Sequence, residues 1–185
     1  MTVSAVSVHR WTRGEYERLA EGGFFGPEGR VELIEGIVYD MSPQKSLHAS
    51  GVRLVERALS RIFGDGWDVR GQMPLALGDD SEPEPDVAVV AGSPRDYRDA
   101  HPTTAVLIVE VADASLAYDR KRKAPLYARA GIPEFWLLVL SEEKLEVYRD
   151  PSPMGYRSRS VLGRGDTVSP LDQPAITLAV DDLLP

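Results

Sequence analysis

Apolar positions along the chain recur with two periods, about 3.6 residues in a few segments and two residues in many short ones. From Ser46 to Phe63, Leu47, Ser50-Gly51, Leu54-Val55, Ala58-Leu59 and Ile62-Phe63 fall on one stripe, with Arg53, Glu56, Arg57 and Arg61 on the opposite face. This spacing predicts a long helix, ended by Gly64-Asp65-Gly66. Upstream, Thr12-Arg13-Gly14-Glu15 has the spacing of a capping box and predicts a helix to about Glu21, stopped by Gly22-Gly23. Residues 24–30 read as a turn-rich connection, and Val31 to Asp40 as two short strands about a tight turn at Glu35-Gly36. Met41-Ser42-Pro43 breaks the pattern.

Past the long helix, Trp67 to Leu77 is a strand candidate whose Pro74 demands an edge or a bend. Residues 78–85 (GDDSEPEP) read as an acidic, solvated turn. Asp86–Ala91 and Ala105–Ala112 are β-branched strands, joined by a connection carrying Pro94, Tyr97, His101 and Pro102. A helical segment then ends at Gly131. Glu134–Leu140 is a buried strand with Phe135-Trp136 as core, Ser141–Glu143 a short hairpin, and Lys144–Arg149 a half-buried strand. Tyr156–Leu162 and Thr177–Val180 are expected to finish the sheet. The order of elements predicts an α+β (mixed α/β) fold with helices against a sheet, and 185 residues suit one domain.

Composition narrows the chemistry. With no cysteine there is no disulfide and no thiolate metal site, and three histidines argue against structural zinc. No apolar run approaches a membrane span, and the N-terminal MTVSAVSVHRW lacks the apolar core of a signal peptide, so a cytoplasmic location is expected. The formal net charge of −8 is the wrong sign for a protein that holds nucleic acid by surface charge alone. A metal-dependent nuclease escapes this objection, because it concentrates carboxylates and its cation inverts the local charge. Neither a G-x-x-x-x-G-K-[ST] loop, nor a G-x-G-x-x-G opening a helix, nor a G-x-S-x-G elbow occurs.

The candidate chemistry lies between residues 85 and 123. In Val106–Val111, alternation puts Glu110 beside Ile108 on an apolar face of a strand that is apolar on both faces. Such a carboxylate is paired, hydrated or metal-bound, unless it sits at the strand's end and reaches water. Asp86 opens the preceding strand. If the two strands pair antiparallel, both acids reach the same end of the sheet, where a divalent cation with hard oxygen ligands would relieve their repulsion. Asp119 and Lys123 are i,i+4, which allows an ordinary helical salt bridge. Pro125 places the start of the helix proper near Lys123 or Ala124, and Lys123 at the junction could then reach back to the sheet.

Val31-Glu32-Leu33-Ile34-Glu35-Gly36, Met41-Ser42-Pro43 with His48, Pro85-Asp86-Val87, Val109-Glu110-Val111, Asp119-Arg120 with Lys123, Tyr127-Ala128 and Gly131–Trp136 together resemble the Uma2 (DUF820) family of restriction-endonuclease-like proteins, a branch of the PD-(D/E)xK nuclease superfamily. The resemblance spans about residues 30–150. It implies a restriction-endonuclease-like αβββαβ core within a single domain over residues 1–185, the N-terminal helix and C-terminal strands being elaborations. It also implies magnesium or manganese held by Asp86, Glu110 and the Val111 carbonyl, with Lys123 as the catalytic lysine and Lys121 as its competitor. In the wider superfamily the lysine lies two residues after the second acid, where this chain has Ala112. Glu32 matches an acid brought to the site from the N-terminal region. Asp113 replaces a usual serine and adds negative charge. His48 either contacts the site or is simply a polar residue in the first turn of the long helix. The function implied is metal-dependent hydrolysis of phosphodiester bonds in DNA, with a homodimer or higher homo-oligomer by analogy. The alternative is a non-catalytic nuclease-fold protein acting as a nucleic-acid-binding or assembly subunit.

Overall fold

A computed structural model describes residues 7–26 and 30–185. Residues 27–29 of the expected turn-rich connection, and the first six residues of the N-terminal stretch, lie outside it. Helix α1 (Arg13–Glu21) starts at the expected capping box, with Thr12 and Glu15 satisfying each other's backbone N–H groups. Strands β1 (Val31–Ile34) and β2 (Ile37–Asp40) form a two-stranded hairpin whose turn residues Glu35 and Gly36 both have positive φ, as a tight hairpin requires.

Helix α2 (Ser46–Phe63) has the bounds that its apolar stripe predicts. Six strands follow in one mixed sheet: β3 (Trp67–Gly71), β4 (Val87–Ala91), β5 (Leu107–Ala112), β6 (Glu134–Val139), β7 (Lys144–Ser152) and β8 (Gly155–Leu162), ordered as they occur in the chain. Only β5 and β6 run parallel, and a helical crossover joins them. The succession α2-β3-β4-β5-helix-β6 is the αβββαβ core that the resemblance implies.

Both faces of the sheet are covered. On one, α2 packs Val52, Val55 and Leu59 over Val109, Val111 and Trp136. On the other, the crossover sets Leu126 and Tyr127 over Ile108, Phe135 and Leu137. Every residue of β5 and β6 is buried, which is why both read as continuous apolar runs. Gly51 makes the first contact close: a Cβ there would lie 3.0 Å from Val111 Cγ1, so α2 can press its N-terminal half onto the end of β5.

Three expectations need correction. The strand from Trp67 stops at Gly71, because Gln72 takes a left-handed conformation (φ 53) and Pro74 has no N–H for the ladder; Leu75 and Leu77 bond instead to Pro83 and Ser81. The acidic turn is solvated at Gly78, Asp79 and Asp80, whereas Ser81 and Glu82 are buried and Glu82 makes a bridge to Leu33. Residues 177–180 do not finish the large sheet. Strand β10 (Leu178–Ala179) pairs with β9 (Thr167–Val168), and Leu178, Val180, Leu183 and Leu184 close the apolar layer beneath α2.

Candidate functional site

Antiparallel pairing of β4 with β5 sets Val87 opposite Val109, so the next pair outward is Asp86 and Glu110. Both acids therefore reach one end of the sheet, as the pattern predicts. They are bound to each other's strand: the Val111 N–H donates to Asp86 Oδ2 at 2.8 Å, and the Asp86 N–H to Glu110 Oε2 at 3.4 Å. Glu110 is 3% exposed, which excludes the strand-end reading in which it reaches water.

Three further elements converge there. Close packing of α2 at Gly51 brings His48, one turn earlier, to Asp86, where Nε2 lies 3.0 Å from Oδ1. An ionised carboxylate only accepts, so this ring nitrogen is the donor. The crossover begins as α3 (Leu116–Tyr118), widens into a π turn at Asp119–Lys123, and tightens into α4 (Ala124–Arg129). The wide turn has a local cause, since Pro125 lacks an N–H and its ring would crowd the carbonyl four residues back. It carries Lys123 inward, with Nζ 3.0 Å from Glu110 Oε1 and 3.3 Å from Glu32 Oε2. Asp119 does not form the solvated helical pair with Lys123; it is buried and accepts from Ser115 Oγ at 2.6 Å.

Asp86, Glu110, Lys123, Glu32, His48 and Asp113 thus border one cleft of about 550 Å³. Asp113 lies at its edge, paired with Lys45 at 3.3 Å. Lys121 is exposed and outside it, so Lys123 is the lysine that the turn delivers. Three participants carry no role in the sequence reading. Tyr127 donates its hydroxyl to Glu110 Oε1 at 2.6 Å; its place four residues after Lys123, on the same helix face, was the available signal. Tyr118 reaches Glu32 Oε1 at 3.3 Å. Gln72 donates Nε2 to Asp86 Oδ1 at 3.2 Å, and nothing local in the sequence announces it.

The electrostatics are unbalanced. Four buried carboxylates, Glu32, Asp86, Glu110 and Asp119, surround one buried lysine. Burial raises Glu110 well above the usual carboxylate range, against the pull of Lys123. Burial pushes Asp119 up to about 6. For Lys123, burial acts downward, but Glu110 and Glu32 outweigh it and the ammonium is held charged. Burial also acts to raise Asp86, yet the His48 hydrogen bond and charge and the Val111 N–H bring it below its usual value. The same hydrogen bond raises His48.

Among the described residues, no three His, Asp or Glu side chains form a group that would hold a metal by themselves. Magnesium needs less from a protein, because it is commonly held by one or two carboxylates and keeps several waters. The acceptor inventory fits that mode. Asp86 Oδ1 takes His48 and Gln72, and Glu110 Oε1 takes Tyr127 and Lys123. Asp86 Oδ2 and Glu110 Oε2 each accept a single backbone N–H, leaving each a second lone pair.

A mixed six-stranded sheet between helices, with two acids at the end of a central strand pair, defines a mixed α+β fold with an acidic cleft. The chain belongs to the Uma2 family, described as "Putative restriction endonuclease", whose model matches residues 13–181. It is similar in fold to a crystal structure from Anabaena variabilis ATCC 29413, described as a putative nuclease belonging to DUF820, with a TM-score of 0.74 and 16% identity over 94% of this chain and 97% of that one. No curated protein matches the chain. No helix among the described residues is long and apolar enough to cross a membrane.

Proposed function

We propose that the chain is a magnesium- or manganese-dependent endonuclease that hydrolyses phosphodiester bonds in DNA. The observation that carries this reading is the meeting of Asp86, Glu110 and Lys123 in an open cleft, with carboxylate lone pairs to spare. Asp86 Oδ2 and Glu110 Oε2 would hold the ion, with the Val111 carbonyl as a third oxygen. The bound ion would lower the pKa of a water and neutralise charge on a phosphate oxygen. Lys123, held charged by Glu110 and Glu32, supplies a positive group to stabilise charge developing at phosphorus. His48 fixes the Asp86 carboxylate, Tyr127 fixes that of Glu110, and Glu32 anchors Lys123. Two copies in a homodimer would present one cleft to each strand of a duplex.

Supercoiled plasmid incubated with the protein in magnesium or manganese tests this. Nicking or linearisation that stops in chelator and in Asp86→Asn is the expected result. An intact plasmid under every condition at high protein, or cutting that persists in Asp86→Asn, overturns it. A second reading is a non-catalytic member of the fold that binds nucleic acid or assembles with a partner, and the acidic net charge of −8 favours its assembly form. It predicts DNA binding or complex formation that survives Asp86→Asn unchanged.

A further inference from the structure

Gln72 sits one residue beyond β3 in a left-handed backbone conformation, φ 53, which side chains other than glycine's rarely adopt. The chain leaves the sheet at this conformation, since Leu75, Ala76 and Leu77 bond to the loop residues Pro83, Pro102 and Ser81 instead of β4. Glycine would make that turn without strain. What glycine could not do is the second half of what Gln72 does. Its backbone N–H donates to the Asp86 carbonyl at 3.1 Å, extending the β3–β4 ladder by one bond. Its side chain then turns back and donates to Oδ1 of the same aspartate at 3.2 Å. One strained residue thus grips Asp86 by both main chain and side chain, while lining the cleft. Residues kept in unfavourable backbone regions are concentrated where the surroundings and the function over-determine them.

We infer that Gln72 is a positioning residue for Asp86. Together with His48 it takes up both lone pairs of Oδ1, so that Oδ2, which accepts only the Val111 N–H, is the oxygen with a lone pair left for a divalent cation. This rests on the metal-dependent reading proposed above, and adds to it a residue outside the acid–acid–lysine set.

Two variants of the full chain test the inference, each with two readouts: thermal midpoint, and manganese affinity by calorimetry without DNA. Gln72→Gly relieves the backbone and deletes the donor. Its midpoint is expected within about 4 °C of wild type, with manganese binding about tenfold weaker, the order expected for losing one hydrogen bond to a charged group. Gln72→Met keeps the length, removes the donor and adds no oxygen ligand, and is expected to bind manganese as poorly. Wild-type affinity in either variant overturns the inference while leaving the metal site standing. A midpoint more than about 10 °C lower in Gln72→Gly would also overturn it, by assigning the side chain to stability. Absence of manganese binding by the wild-type protein overturns both the inference and the metal-dependent reading.

Discussion

Glu110 and Glu146 lie in one row across the sheet, on β5 and β7 with Leu137 of β6 between them, and are 3% and 2% exposed. The same π turn serves both: Lys123 goes to Glu110, and Arg120 to Glu146. Their surroundings differ in the count of charges. Glu146 is held by Arg120, by Arg159 at 2.7 Å and by the Tyr148 hydroxyl, and these bonds overcome its burial and bring it down to about 2. Glu110 shares a single lysine with Glu32, lies beside Asp86, and is raised. Burial alone therefore says little about function. A buried acid with two arginines is a closed ion cluster, whereas a buried acid with half a lysine is open to a cation from outside.

The largest expected effect separates the two acids by activity. Glu110→Gln should lower plasmid cleavage by at least about 100-fold, while Glu146→Gln should stay within about threefold of wild type if it folds, both measured in magnesium. Equal losses would erase the distinction. Stability separates them next. Lys123→Met leaves the carboxylates uncompensated and should cost about 3–5 kcal/mol in denaturant unfolding, largely recovered in the double variant with Glu110→Gln. Arg120→Met leaves Arg159 on Glu146 and should cost about 1 kcal/mol.

Opposite pH slopes sharpen the contrast further. Glu146 has a folded value of about 2, below 4.5, so its stabilisation is present above that upper value and is lost as pH falls toward the lower one. The advantage of wild type over Glu146→Gln, about 2 kcal/mol near neutrality, should therefore shrink with acidification. Glu110 is raised, so the stability tied to its proton is present at low pH and lost as pH rises through its folded value. Wild type should then fall progressively behind Glu110→Gln. Thermal melts across the pH range read both slopes. The smallest effect belongs to Tyr127→Phe, which removes one donor to Glu110 and should cost about 1 kcal/mol and less than about tenfold in cleavage.

Much of this architecture is written locally. The α2 stripe, the Thr12 capping box and the Glu35-Gly36 turn are carried by neighbouring residues, and the acid at the start of β4 and the acid near the end of β5 needed only antiparallel pairing to meet. What escaped depends on distant partners. The end of β3 is decided by the conformation of Gln72, and the fate of residues 177–180 by the apolar layer beneath α2. Whether Lys123 faces solvent or the sheet depends on how the helix accommodates Pro125, and a π turn has no periodic signature. The closed cluster around Glu146 was invisible for the same reason, since residues 120, 146 and 159 share no spacing rule.

Calorimetric titration with manganese of wild type, Glu110→Gln and Glu146→Gln, without DNA, tests the central claim most directly. Binding to wild type and Glu146→Gln with like affinity, and its loss in Glu110→Gln, is the predicted result. Unchanged binding in Glu110→Gln, or equal loss in both variants, would contradict the assignment of the Asp86–Glu110 pair as the site for a cation.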